Sequence, residues 1–225
     1  VLKSADKWLQ FVFITGVTKF AQVGIFSNLN QLVDISLDHR FFDLCGLTQQ
    51  EIETYCAPEL ETLATSNNIS RDEAVAQLAR MYDGYYFNED QQEGMFNPFS
   101  VLNTLSASKF RNYWFASGTP TFLTEILKKT NFDLRELDGI QVPAISLSND
   151  RASIDNPVPM IYQSGYLTIK AYDERFRMYT LGYPNEEVKY GFLNFVTPFY
   201  SCISTENTPF YIGLFVDELE KCDVE

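Results

Sequence analysis

Four consecutive apolar residues, Phe11–Ile14, stand near the beginning of the chain and stop abruptly at Thr15 and Gly16. A short run rich in aromatic and β-branched residues predicts a strand that is buried on both faces. Ligands of open α/β sheets bind just beyond the carboxyl ends of the strands. The hydroxyl of Thr15 is therefore a candidate ligand contact, with the positive charge of Lys19 nearby for an anion. The alternative, which the pattern alone favours, is a core strand whose last threonine bonds only to backbone.

A central parallel strand needs parallel neighbours, and each neighbour is joined by a crossover of a dozen or more residues. Only ten residues precede Phe11, and no run of comparable strands follows it. We therefore expect the sequence to begin inside a domain whose first part is missing.

The composition restricts the partners and metals that can be expected. The formal net charge is −13 and no dense cluster of lysine and arginine occurs, so the average surface repels phosphate backbones. DNA binding is possible but the acidic charge does not support it. Four cysteines and one histidine show no zinc-ligand spacing, so no metal site is predicted. No apolar run reaches the roughly 20 residues of a membrane span and no signal peptide is present, which predicts a soluble, cytoplasmic protein without a membrane partner.

Two capping boxes predict helices in the first half of the chain. Thr48 and Glu51 have the required spacing, and so do Ser70 and Glu73. Residues 67–69 form the turn between the two helical segments. The pair could be a helix-turn-helix, but a helical hairpin used only for packing is favoured because the chain is acidic.

The second half of the chain predicts a helix followed by a β-hairpin. The helix covers 157–164, and the alternating residues of 166–171 and 177–181 form the hairpin. Before them, Tyr113–Phe115 predicts a short aromatic strand or extended segment. The polar stretch 134–155 predicts a flexible connection.

The segment from Phe13 to Asn30 resembles the signature of the bacterial AAA-ATPase-like proteins. Further blocks match the same family in its order, and together they cover nearly the whole chain: Cys45–Glu51, Tyr82–Phe87, Asn97–Ser100, Tyr113–Pro120, Gln163–Ile169 and Gly182–Val188. The usual architecture of that family is a P-loop ATPase domain, a helical and winged-helix-like segment, and a carboxy-terminal nuclease-like domain of the PD-(D/E)XK type.

The resemblance implies a mixed α/β fold that is mainly α-helical, with short strands and hairpins. Residues 1–45 would be a truncated remnant of the P-loop ATPase core that carries a sensor-1-like strand. Residues 46–205 would be the helical and winged-helix-like region. Residues 206–225 would be a connector helix that leads to an absent carboxy-terminal domain.

The resemblance also implies a nucleotide-sensing role for Thr15, at the position called sensor 1, where a polar side chain monitors the γ-phosphate or the attacking water. Thr18 and Lys19 follow in the family's pattern. ATP and Mg²⁺ would be cofactors of the full-length parent, whose ATPase core and nuclease-like domain would be the partners of this segment. The phosphate loop Gly-x-x-x-x-Gly-Lys-Ser/Thr does not occur in the chain. The segment is therefore not expected to hydrolyse ATP alone, and no catalytic residue is assigned to it.

Two other functions remain open from the sequence. The winged-helix-like region could be an adaptor that binds a protein or a nucleic acid. It could also be a structural spacer that only couples an ATPase to a nuclease.

Overall fold

Eight α-helices and one three-stranded antiparallel sheet lie in the part of the chain that the structure, a computed structural model, describes: residues 6–16, 33–116, 127, 137–148 and 156–200. The helices are α1 (Gln49–Tyr55), α2 (Ala57–Asn67), α3 (Arg71–Tyr82), α4 (Pro98–Ala107), α5 (Tyr113–Ala116), α6 (Ala144–Ser148), α7 (Val158–Gln163) and α8 (Glu186–Tyr200). The strands are β1 (Ile140–Pro143), β2 (Thr168–Asp173) and β3 (Met178–Gly182). The fold class is thus mixed α/β and mainly helical, as predicted. None of the helices within these ranges has both the length and the apolar character needed to cross a membrane.

Side chains close to each helix start explain where α1 and α3 begin. The Thr48 hydroxyl accepts from the Glu51 amide at 3.2 Å, and the Glu51 carboxylate accepts from the Thr48 amide at 2.8 Å. Ser70 and Glu73 repeat this arrangement at α3. Both predicted capping boxes are therefore confirmed, and each satisfies amides that a helix start leaves unpaired.

Helices α1–α4 enclose the first of two hydrophobic cores. Its buried members include Ile52, Leu60, Leu63, Leu78, Tyr82, Phe96, Val101 and Leu105. The Tyr82 hydroxyl lies within this core, accepts from the Thr104 hydroxyl at 2.9 Å and donates to the Arg111 carbonyl at 2.8 Å. The apolar faces of these helices thus point inward, as a packed helical hairpin requires.

The sheet builds the second core together with α7 and α8. The strand order is β1-β3-β2, and both pairings are antiparallel. The predicted hairpin is confirmed as β2 and β3, and the predicted helix before it is confirmed as α7. The buried members of this core include Ile161, Tyr166, Leu167, Ile169, Leu181, Val188 and Phe192.

The prediction of a buried strand over Phe11–Ile14 is wrong. These residues adopt neither helix nor strand, and the Phe11 side chain is 81% exposed. A strand is stabilised by a neighbour that pairs with it, and among the described residues β1, β2 and β3 pair only with one another. The segment 11–14 is consequently an exposed apolar stretch.

Two other local predictions are also corrected. Tyr113–Phe115 belongs to helix α5 and not to a strand. A flexible connection is predicted for 134–155. In the part of it that the structure describes, 137–148, β1 and α6 form instead, and both contribute buried apolar side chains. The rest of that stretch lies outside the described residues.

Candidate functional site

The predicted nucleotide-sensing residues do not form a site in the described residues. Thr15 is exposed and lies outside any helix or strand. Thr18 and Lys19 lie outside the described residues. The role assigned to the three by resemblance stays a prediction.

Parts of five of the sequence blocks that carry the resemblance meet at one place, which we call the junction: 82–86, 97–100, 114–115, 163–169 and 182–187. It lies between the two hydrophobic cores. Asn185 donates from Nδ2 to the Asp83 carbonyl at 2.8 Å, which ties the end of α3 to the start of α8. Gly84 follows with φ +95°, and its Cα approaches the Pro184 carbonyl so closely that a Cβ atom would lie 2.2 Å from that oxygen. Only glycine fits this contact without strain.

Glu187 connects three helices at the junction. Its side chain is 1% exposed. One carboxylate oxygen accepts from the Ser100 hydroxyl at 2.6 Å, and the other accepts from the Trp114 amide at 2.8 Å. Burial raises the pKa of the Glu187 carboxyl, and hydrogen bonds from Ser100, Trp114 and Phe115 partly oppose that shift. The carboxylate thus serves as the acceptor for amides at the start of α5.

Thr168 holds the segment after α3 against the sheet. Its hydroxyl accepts from the Tyr86 amide at 2.7 Å and donates to the Tyr86 carbonyl at 3.1 Å. The Tyr85 hydroxyl donates to the Gly165 carbonyl at 3.3 Å. The block that ends α3 therefore packs on the block that begins β2.

Charged side chains surround the junction: Asp83 is half-buried, and Lys170, Asp138 and Lys189 are exposed. Burial raises the pKa of the Asp83 carboxyl, an effect that an amide hydrogen bond from Gly84 and the charge of Lys170 partly offset. Burial lowers the pKa of the Lys170 ammonium, while the charges of Asp138 and Asp83 act in the opposite direction. Asp138 also pairs with the Lys189 ammonium at 3.1 Å. Opposite charges therefore alternate across the surface where the two cores meet.

An open cleft of about 720 Å³ borders Asp83 on the side of the helical core. Glu53 and Glu93 are further acidic residues of its lining, and Arg71 is its cation. The Arg71 guanidinium already donates to the Glu53 carbonyl at 3.3 Å. Among the described residues, no group of three or more His, Cys, Asp or Glu side chains is arranged to hold a metal ion. The cleft is thus a polar surface that favours cations over anions.

The hydrogen bonds of the junction join structural elements to one another. Gly84 lies directly after Asp83, the residue that caps the end of α3. The sequence assigned no role to Glu187, and it indicated Lys170 only as a cation of the predicted hairpin. The only local signal for Glu187 is its place in the first turn of α8 after the cap residue Asn185, and Glu186 shares that signal.

The chain is similar to an uncharacterized protein encoded in the vnfD 5′ region of Azotobacter chroococcum mcd 1. The two are 36% identical over 191 residues, which is 84% of this chain and 34% of the relative. The chain therefore spans about a third of the length of that relative. No family model matches the chain, and no solved structure matches it.

Proposed function

We propose that this chain is a coupling segment of an AAA-type ATPase, in which a winged-helix-like unit binds a protein and no ATP is hydrolysed by the segment itself. The ordered family blocks support the ATPase relationship. The exposed apolar stretch 11–14 supports a contact with further protein, because clustered apolar side chains on a surface mark interaction sites. In this proposal that stretch meets the ATPase core of the parent, and Thr15 lies at the same contact.

The observation that carries the winged-helix-like part is the topology of 137–182. Helices α6 and α7 separate β1 from β2, the hairpin β2–β3 follows, and the sheet order is β1-β3-β2. A helix followed by a hairpin is the way a winged helix ends. The hairpin would then be the wing.

Several features favour a protein over DNA as the partner of this unit. Helix α7 precedes the hairpin, where a recognition helix would be expected, but it contains no lysine or arginine and buries Val158, Pro159 and Ile161. A helix that reads DNA has to present polar or basic side chains to the groove. At the turn of the hairpin, Arg175 and Arg177 are offset by two neighbouring acids, Asp173 and Glu174.

The purified chain is expected to release no phosphate from ATP in the presence of Mg²⁺. Phosphoryl transfer needs a loop that cradles the phosphates and a ligand for the metal, and the chain has no such loop. A colorimetric phosphate assay measures the rate. Metal-dependent turnover would contradict the proposal if it falls in a Thr15→Ala variant but not in a Thr62→Ala variant. That difference would show that the chain itself, and not a contaminating enzyme, hydrolyses the ATP.

Duplex DNA is expected to bind no more tightly than in non-specific contacts, with Kd above about 1 µM at physiological salt. The acidic average charge opposes the phosphates, and α7 offers no cation. Fluorescence anisotropy with a labelled duplex measures this at several salt concentrations. Tighter binding that a double R175E/R177E variant abolishes would favour the DNA-binding alternative.

A further inference from the structure

A groove of about 310 Å³ runs between β2 and the loop 86–91. Its first wall consists of four consecutive residues of β2, Ile169–Tyr172. Consecutive side chains of a strand point to opposite faces of the sheet, so a groove that touches all four follows the edge of the strand. Among the described residues, the strand order places β2 at an edge of the sheet.

The loop that forms the second wall is held in shape by its own side chains. Gln91 accepts from the Phe87 amide at 2.9 Å and donates to the Tyr85 carbonyl at 3.0 Å. The Asn88 side-chain oxygen accepts from the Asp90 amide at 2.9 Å. Thr168 fastens the loop to the start of β2, and the Glu89 carboxylate accepts from the Tyr179 hydroxyl of β3 at 2.7 Å, which ties the loop to the sheet a second time. The groove is therefore preformed.

Hydrogen-bonding groups are left available along both walls. Apart from its pairing with β3, the backbone of 169–172 makes no hydrogen bond to any residue that the structure describes. Asn88 is only 3% exposed, and its Nδ2 has no partner in the same part of the chain. A buried donor without an acceptor is destabilising, so the site favours a ligand that brings a carbonyl oxygen.

Acidic residues flank both ends of the groove. The loop carries Glu89 and Asp90, and the far end of β2 continues into Asp173 and Glu174. Lys170 is the one cation in the lining of the groove. With a net charge of −13 for the chain, this surface attracts a cationic partner.

We propose that the groove binds an extended, lysine- or arginine-containing segment of a partner protein, which adds as a strand to the outer edge of β2. A main-chain carbonyl of that segment accepts from Asn88 Nδ2, and its amides and carbonyls pair with the backbone of 169–172. The inference deepens the proposed function and rests on it, because it identifies where the protein-binding unit would take its partner.

The experiment selects peptides from a phage-displayed library of random dodecamers on the full chain, and measures the affinity of the selected peptides by anisotropy. We expect the selected peptides to be cationic, and we expect their affinity to fall at least tenfold in an Asn88→Asp variant. That variant keeps the side-chain oxygen that accepts from the Asp90 amide and removes the Nδ2 donor. Asn103→Asp is the matched control, because the Asn103 amide donates only to the Phe99 carbonyl of its own helix. It should bind like the wild type.

A second measurement uses the unaltered protein and does not depend on the folding of a variant. Methylation of alternate main-chain amides in the selected peptides should weaken binding at least tenfold, because strand addition uses those amides. Failure to select any peptide, or peptides indifferent to both changes, would overturn the groove assignment. Neither DNA nor nucleotide is present in this experiment, so a negative result would contradict only the peptide-binding role of the groove. The proposed function would be contradicted by the separate assays, if they showed DNA binding or ATP turnover.

Discussion

Replacing Gly84 with alanine is expected to lower the free energy of unfolding by more than about 3 kcal/mol. Two effects add at this position. The backbone has φ +95°, a region that costs a residue with a Cβ atom roughly 1 kcal/mol or more. The new Cβ would also lie 2.2 Å from the Pro184 carbonyl oxygen, so one of the two backbone segments has to move.

Neither segment can move freely at the junction. The Asp83 carbonyl accepts from Asn185 on one side of the contact. On the other side the Tyr85 amide and carbonyl pair with Met95. A shift that relieves the clash therefore breaks hydrogen bonds that link the two cores, and a marginally stable protein has only about 5–15 kcal/mol to lose.

Gly139→Ala is the matched control for this prediction. Gly139 has φ +96°, but a Cβ atom built there meets nothing within 4 Å. Its substitution should cost about 1 kcal/mol, the backbone effect alone. Equal losses in the two variants would show that the approach of Gly84 to Pro184 does not constrain the fold.

The free energy of unfolding is measured by urea titration, with far-ultraviolet circular dichroism and tryptophan fluorescence as the two probes. A Trp8→Phe background leaves Trp114 as the only tryptophan, and its ring lies 5.3 Å from that of Tyr166 in the second core. Coincident transitions by the two probes would mean that both cores unfold together. We expect that in the wild type, since the junction joins them.

Features that depend on residues close in sequence were predictable. The capping boxes of Thr48 and Ser70 involve partners three residues away, and the hairpin β2–β3 closes through a four-residue turn. In each case the partner lies within the same short window, so the pattern contains the whole interaction. These local features agree with the mainly helical mixed α/β class that the resemblance implied.

Features that depend on distant residues were not predictable. Three aromatic residues in a row favour a strand at Tyr113–Phe115, but the amides of Trp114 and Phe115 find their acceptor in Glu187, more than 70 residues later. An acceptor at that point stabilises the start of a helix. β1 likewise depends on β3, with which it pairs about 40 residues further along. At Phe11–Ile14 a strand is predicted and none forms. The residue pattern there suits a strand, but a pattern does not supply the second strand with which it would have to pair.

Replacing Glu187 with alanine is expected to lower the free energy of unfolding by about 3 kcal/mol or more. The substitution removes the acceptor of the Ser100 hydroxyl and of the Trp114 and Phe115 amides. These donors lie where water cannot easily replace the carboxylate. Glu186→Ala is the neighbouring control. Its side chain is more exposed and pairs with Arg80 at 3.3 Å, so its loss should cost at most about 1 kcal/mol.

Glu187→Gln separates the charge from the hydrogen bonds and has a distinct pH dependence. The amide keeps one oxygen for a backbone amide and can donate to the Ser100 hydroxyl, so we expect a loss on the order of 1 kcal/mol at low pH. Burial raises the pKa of Glu187 above its ordinary value of 4.5 in the folded chain. Between the two pKa values the folded state holds a proton that the unfolded state has released, so the wild type loses stability as the pH rises through that window.

The difference in the free energy of unfolding between the wild type and Glu187→Gln reports on the Glu187 carboxyl alone, because the other titrating residues are common to both chains. The advantage of the wild type should therefore shrink as the pH rises above the ordinary value of 4.5, and level off above the raised pKa. Urea titrations of both chains at a series of pH values measure it. An advantage that grows with pH would mean that the hydrogen bonds from Ser100, Trp114 and Phe115 outweigh burial. Glu187 would then be held as a stabilised anion, and the junction would depend on its charge and not only on its shape.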